Sequence, residues 1–112
     1  MTGKFAMKKA ALWAVVTLAW ASVAVGSSEH VIHQKGRMFS ESKINVQAGE
    51  AVVFANDDTV PHNVFSATAG NEFNLGSQAP GTATPVTFTT PGEVQVLCGI
   101  HPRMRMKIEI SN

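Results

Sequence analysis

The 112-residue chain has a single cysteine, Cys98. No intramolecular disulfide can form, so the bridge-stapled frameworks on which many small exported domains rely are excluded. Charge is scarce too. Nine Lys and Arg stand against eight Asp and Glu, a formal net charge of +1. Nucleic-acid binders are strongly basic as a rule, and this balance excludes that class of partner. No repeat and no second domain are visible, and the length allows one domain at most. The apolar run AALWAVVTLAWASVAVG at 10–26 carries no charge and falls short of the ~20 residues that a membrane-spanning helix needs.

That run has a meaning of its own. Lys4, Lys8 and Lys9 precede it, and Ala24 and Gly26 close it in a small-x-small pattern before Ser27. A basic start, an apolar middle and a small-residue end make a secretory signal, with residues 1–26 removed and 27–112 exported to the periplasm. An uncleaved anchor is the alternative reading. Residues 27–112 hold six basic and eight acidic side chains, a net charge of −2.

The exported part shows no helical period. It shows short β-branched and aromatic runs punctuated by Gly, Pro, Asn and Asp. The expected strands are HVIHQ (30–34), KINVQ (43–47), AVVFAN (51–56), HNVFS (62–66), PVTFT (85–89), EVQVLC (93–98) and MKIEI (106–110). Such spacing predicts an all-β sandwich or barrel. Pro91-Gly92 suits the centre of a type II turn and predicts a hairpin between PVTFT and EVQVLC. Alternation places Val94, Val96 and Cys98 on one face. It does the same for Met104, Met106, Ile108 and Ile110, and for Ile44 with Val46. The Gly-rich stretch 67–83 reads as a long connection, with one short strand near Phe73 and Leu75.

An unpaired cysteine in an exported chain asks for an intermolecular bridge, a reactive thiol or a metal. Cys98 stands in LCGIHPRMRM, three residues before His101 and ahead of Met104 and Met106. A thiolate with imidazoles suits copper or zinc. His62, between Pro61 and Asn63, is the candidate second imidazole. Two imidazoles, one thiolate and a long axial thioether make a blue-copper electron-transfer site. His30 and His33, on opposite faces of the first strand, are expected to be exposed polar residues, with a weak accessory metal site as the alternative.

These residues resemble a known family. Gly49-Glu50, Phe54-x-Asn56, Pro61-His62-Asn63-Val64, Pro91-Gly92 and Cys98-x-x-His101 followed by Met look like the cupredoxins of the plastocyanin, amicyanin and pseudoazurin group. The likeness covers about residues 30–110. It implies a Greek-key β-sandwich of seven to eight strands, one type 1 copper and a soluble one-electron carrier, not an enzyme. His62, Cys98 and His101 would be the equatorial ligands, and the Asn63 N–H would reach the Cys98 sulfur. By the same resemblance the partners would be redox proteins, a dehydrogenase and a c-type cytochrome, met by a monomer. The axial ligand depends on loop length. A plastocyanin-like loop selects Met106, and the shorter amicyanin-like loop selects Met104. The run Pro102-Arg103-Met104-Arg105 resembles the short loop, and Met106 is sufficiently explained as strand core, so Met104 is expected. Met106 stands where the short-loop family usually has glycine.

Other functions fit less well. Copper storage or delivery without fast electron traffic is the main alternative, although the Met- or His-rich tracts of copper carriers are absent. Structural zinc would not ask for an axial thioether. A cysteine hydrolase would need a base, an orienting group and an oxyanion hole. One cysteine excludes a dinuclear copper centre. Arg103 and Arg105 read as a solvated face that could steer an acidic partner. Ile100, Pro61 and Pro102 are expected to form an apolar rim around an exposed edge of His101.

Overall fold

The computed structural model describes residues 14–17 and 29–112. The expected signal segment 1–26 lies outside the described residues apart from 14–17. Among the described residues nine strands follow in order: β1 (His30–Lys35), β2 (Met38–Phe39), β3 (Lys43–Gln47), β4 (Ala51–Asn56), β5 (Val64–Ser66), β6 (Phe73–Asn74), β7 (Ala83–Thr87), β8 (Gly92–Cys98) and β9 (Arg105–Ser111). They form two sheets, ordered β2-β1-β4-β7 and β3-β9-β8-β5-β6. The architecture is the expected all-β sandwich. Strands distant in sequence lie side by side, with β1 parallel to β4 and β3 parallel to β9.

The alternation read from the sequence holds. Val94, Val96 and Cys98 are buried, as are Met104, Met106, Ile108 and Ile110, while Arg105 and Lys107 face out. Burying each such apolar side chain stabilises the fold by about 1.5–3 kcal/mol. Phenylalanines tie the two sheets together. Phe54 of β4 stacks on Phe73 of β6 with centroids 5.7 Å apart, and Phe73 meets Phe88 edge-on at 5.7 Å.

Two expectations need correction. The predicted hairpin across Pro91-Gly92 does not form. β7 pairs with β4, whereas β8 pairs with β5 and β9, so this turn carries the chain from one sheet to the other. Phe88 makes the change of sheet favourable by burying its ring on the way. Strand β2 was also not foreseen. Gly36 and Arg37, with φ of 60° and 57°, form the two-residue turn that folds it back onto β1. A glycine commonly supplies such a left-handed position, and an arginine rarely does.

With β2 the described residues hold nine strands rather than seven to eight, and the remaining differences are shifts of strand ends. β7 runs 83–87 rather than 85–89, β5 begins at Val64, leaving His62 ahead of the strand, and β1, β8 and β9 are each longer by a residue or two.

Candidate metal centre

His62 lies where the chain leaves the first sheet for the second. Asn56, buried at the end of β4, shapes this passage. Its Nδ2 donates to the Val60 carbonyl at 3.0 Å, and its Oδ1 accepts from the Asp58 N–H at 3.0 Å. One amide therefore closes both ends of the Asp57–Val60 turn, in the manner of an Asx turn. His62 follows, fully buried, and its backbone exchanges two hydrogen bonds with Gln78, at 3.1 and 2.7 Å.

The other donors come from the connection between β8 and β9. Cys98 ends β8 opposite Val64 of β5. The Met104 N–H donates to the His101 carbonyl at 3.0 Å, and the Cys98 N–H donates to the Met104 carbonyl at 3.2 Å. The loop is thus closed on its own backbone. Gly99 donates to the Asn63 carbonyl at 2.9 Å, which fastens this loop to the His62 segment.

The result is a compact triangle. His62 Nδ1 and His101 Nδ1 are 3.0 Å apart, and the Cys98 sulfur lies 3.8 and 3.9 Å from them. A point equidistant from the three atoms lies about 2.1 Å from each, within the ~2.0–2.3 Å of metal bonds to imidazole and thiolate. Among the described residues, His62, Cys98 and His101 are the cluster that could hold a metal ion. The Asn63 N–H points at the Cys98 sulfur at 3.4 Å, as expected. Met104 and Met106 are both buried, 1% and 2% exposed, so burial alone does not separate them. They differ in position. Met104 is in the closed loop, and Met106 pairs with Val96 in the β8–β9 ladder.

Asp58 was not foreseen as part of this site. Its Oδ2 accepts from His62 Nε2 at 3.0 Å. The same oxygen accepts the Arg37 N–H at 2.8 Å, and Oδ1 accepts the Thr59 N–H at 2.9 Å. The Arg37 N–H, then His62, then the Thr59 N–H lower the Asp58 pKa to about 2. A carboxylate on Nε2 keeps the proton there and leaves Nδ1 as a lone pair facing the other donors. That is the tautomer a metal ligand needs. The signal was present in the sequence as an acid four residues before His62, but nothing there distinguished it from a solvated turn residue.

His30 and His33 lie on β1, away from this cluster. His33 Nδ1 contacts Asp57, and both side chains are about half exposed. His30 departs from the expectation of a simply exposed residue, being partly buried with Nε2 3.1 Å from Glu50.

Residues 27–111 match the family described as copper binding proteins, plastocyanin/azurin family. The chain belongs to this family. Copper is accordingly its metal, and the imidazole and thiolate donors suit that ion. This cupredoxin is 32% identical over 75 residues to amicyanin-alpha of Methylorubrum extorquens, covering 64% of this chain and 63% of the relative. It is 29% identical over 69 residues to the methylamine utilization protein MauL of the same organism, covering 61% and 60%. The matches thus span a little under two thirds of these relatives. Solved structures share the fold. A copper(I) form of an amicyanin variant superposes with a TM-score of 0.68 at 22% identity, covering 74% of the cupredoxin and 82% of that chain. A purple cupredoxin from Nitrosopumilus maritimus gives 0.65 at 23%, covering 73% and 99%. A copper-containing nitrite reductase from Thermus scotoductus gives 0.70 at 23%, covering 76% of this chain but 23% of the reductase.

Proposed function

We propose that the protein is an exported one-electron carrier rather than an enzyme, in which His62, Cys98 and His101 would hold one copper and Met104 would supply a weaker fourth donor. The observation that carries this reading is the triangle of donor atoms, which shares a single, backbone-braced pole of the sandwich. Copper bound there supplies a Cu(I)/Cu(II) couple. The protein's part is to keep the donors still. His62 and Cys98 are buried among sheet ends, and the Asn63 N–H stabilises negative charge on the sulfur. A donor set that barely moves between oxidation states keeps reorganisation small. Met104 is preferred over Met106 because its loop carries it beside His101, whereas Met106 belongs to the β9 ladder.

Electrons would pass through His101, the one half-buried member of the set. It borders an open cleft of about 670 Å³ with Gly36, Arg37, Met38, Ile100, Pro102 and Arg103. Met38 and Ile100 are 68% and 48% exposed. Partners are then redox proteins that present an apolar surface with acidic groups opposite the arginines, a dehydrogenase as donor and a c-type cytochrome as acceptor. Residues 1–26 would direct export to the periplasm. Among the described residues no helix is long and apolar enough to cross a membrane.

The test is to add Cu(II) to the purified protein and record its visible spectrum. An intense thiolate-to-copper band in the red is expected. Weak d–d absorption alone, or preferential binding of zinc, would overturn the assignment. Electron self-exchange measured by NMR line broadening separates a carrier from a storage or delivery module, in which exchange would be slow.

A further inference from the structure

We infer that Gln78 is a positioning residue for His62, the anchor that fixes this imidazole relative to both sheets. The inference rests on the copper reading above for its consequence, but its geometry stands apart from that reading.

His62 and Gln78 occupy equivalent predicaments. Each lies in a segment that crosses between sheets: His62 between β4 and β5, and Gln78 between β6 and β7. Crossing segments have no ladder partner, and buried backbone groups without partners are costly. The two segments solve this by pairing with each other. The His62 N–H donates to the Gln78 carbonyl and the Gln78 N–H donates to the His62 carbonyl. Among the described residues these are the hydrogen bonds of the His62 backbone.

The side chain of Gln78 then ties this pair to the first sheet. Gln78 is 4% exposed. Its Nε2 donates to the Phe54 carbonyl of β4 at 2.7 Å, with Thr84 Oγ1 and the Thr82 carbonyl further off at 3.3 and 3.4 Å. Its Oε1 accepts from Gln34 Nε2 of β1 at 2.8 Å. Its carbonyl, already bonded to His62, also accepts from Asn56 Nδ2 at 2.9 Å. Gln34 and Asn56 are both fully buried.

A buried glutamine that merely filled space would need its own amide satisfied and nothing more. Gln78 does more than that. It joins the backbone of one donor residue to β1, β4 and the Asn56-closed turn at once. Asp58 sets the rotation and tautomer of the His62 ring, while Gln78 sets where its Cα stands. Such buried networks rigidify when they are satisfied. This one has a single loose end, since Gln34 Oε1 has no hydrogen-bond partner. The Gly-rich stretch 67–83, read from the sequence as a long connection with one short strand, therefore carries a part of the site.

The test uses the full protein with Gln78→Met, which keeps volume and removes both amide functions. Phe88→Leu, a core change at a side chain that takes no part in the Gln78 hydrogen bonds, is the control for a loss of stability alone. In metal-free protein, amide hydrogen exchange at His62 is expected to quicken at least about tenfold beyond the global change in Gln78→Met, and not in the control. With Cu(II) added, the intensity ratio of the charge-transfer bands and the copper hyperfine splitting should change in Gln78→Met only. The inference is overturned if Gln78→Met loses stability yet keeps His62 exchange and the spectrum of the parent. Should Gln78→Met fail to fold, Gln34→Met, which frees Gln78 Oε1, is expected to show the same changes in weaker form, and an unchanged His62 would overturn the inference. A parent protein without the intense band would sink the copper reading instead, and would leave the exchange result to decide on Gln78.

Discussion

Gly99→Ala puts a number on how tightly the two arms of the site are joined. An added Cβ would lie 2.8 Å from Asn63 Oδ1 and 3.5 Å from its Cγ. A Cβ essentially never sits closer than 3.0 Å to another heavy atom, so the Asn63 amide must give way. It is not free to do so. Asn63 Nδ2 donates to Asn74 Oδ1 at 2.8 Å and to the Gly76 carbonyl at 3.1 Å. Losing both bonds costs about 2 kcal/mol, at about 1 kcal/mol net each. Gly99 is not among the glycines with positive φ, so alanine returns about 0.4–1 kcal/mol by restricting the unfolded chain. The net loss is then about 1 kcal/mol, or about 4–8 °C in Tm for a domain of this size. Urea and thermal unfolding of the parent, Gly99→Ala, Asn63→Ala and the double variant measure it as a cycle. In the Asn63→Ala background the Gly99 change should become stabilising, because the obstacle is gone. If Gly99→Ala stabilises the parent as much as the Asn63→Ala protein, the supposed contact carries no energy and the reasoning is refuted.

Other outcomes follow from the same geometry. Met104→Leu and Met106→Leu should each cost less than about 1.5 kcal/mol, being near volume-conserving. Only Met104→Leu should shift the copper spectrum and potential, and a shift confined to Met106→Leu would reassign the axial ligand. Asp58→Ala should weaken Cu(II) binding about 10- to 100-fold by releasing the tautomer and orientation of His62, as measured by competition with a chelator. Arg37→Gly should raise stability by up to about 1 kcal/mol, since Arg37 sits at a φ of 57° that disfavours a side chain. Equal urea midpoints for Arg37→Gly and the parent would count against that strain.

The legible parts of the site were those with a chemical signature. Cys98 was visible because it is alone, and His101 because it follows at close spacing. His62 stood out only jointly with them, in Pro61-His62-Asn63. Alternation exposed the faces of β8 and β9, because each has one wet side. Other features had no local signal. β2 is two residues long and rests on a turn with Arg37 where glycine would be usual. Pro91-Gly92 looked like a hairpin because turn chemistry does not reveal which sheet the next strand joins. Asp58 and Gln78 act through partners that long-range folding brings to them, and a glutamine in a Gly-rich stretch gives no hint of burial.

The parallel pairing of β3 with β9 has a consequence for how the chain acquires its shape. Residues 43–47 find their partners at 107–111, the end of the sequence. Contacts between such distant segments slow folding, because a large loop must close before they form. While the chain is being made, β3 has no partner in its own sheet until the last strand appears. The first sheet needs only β1, β2, β4 and β7, whereas β3 waits for β9, and removing β9 would leave β3 without a ladder partner and open the edge of β8.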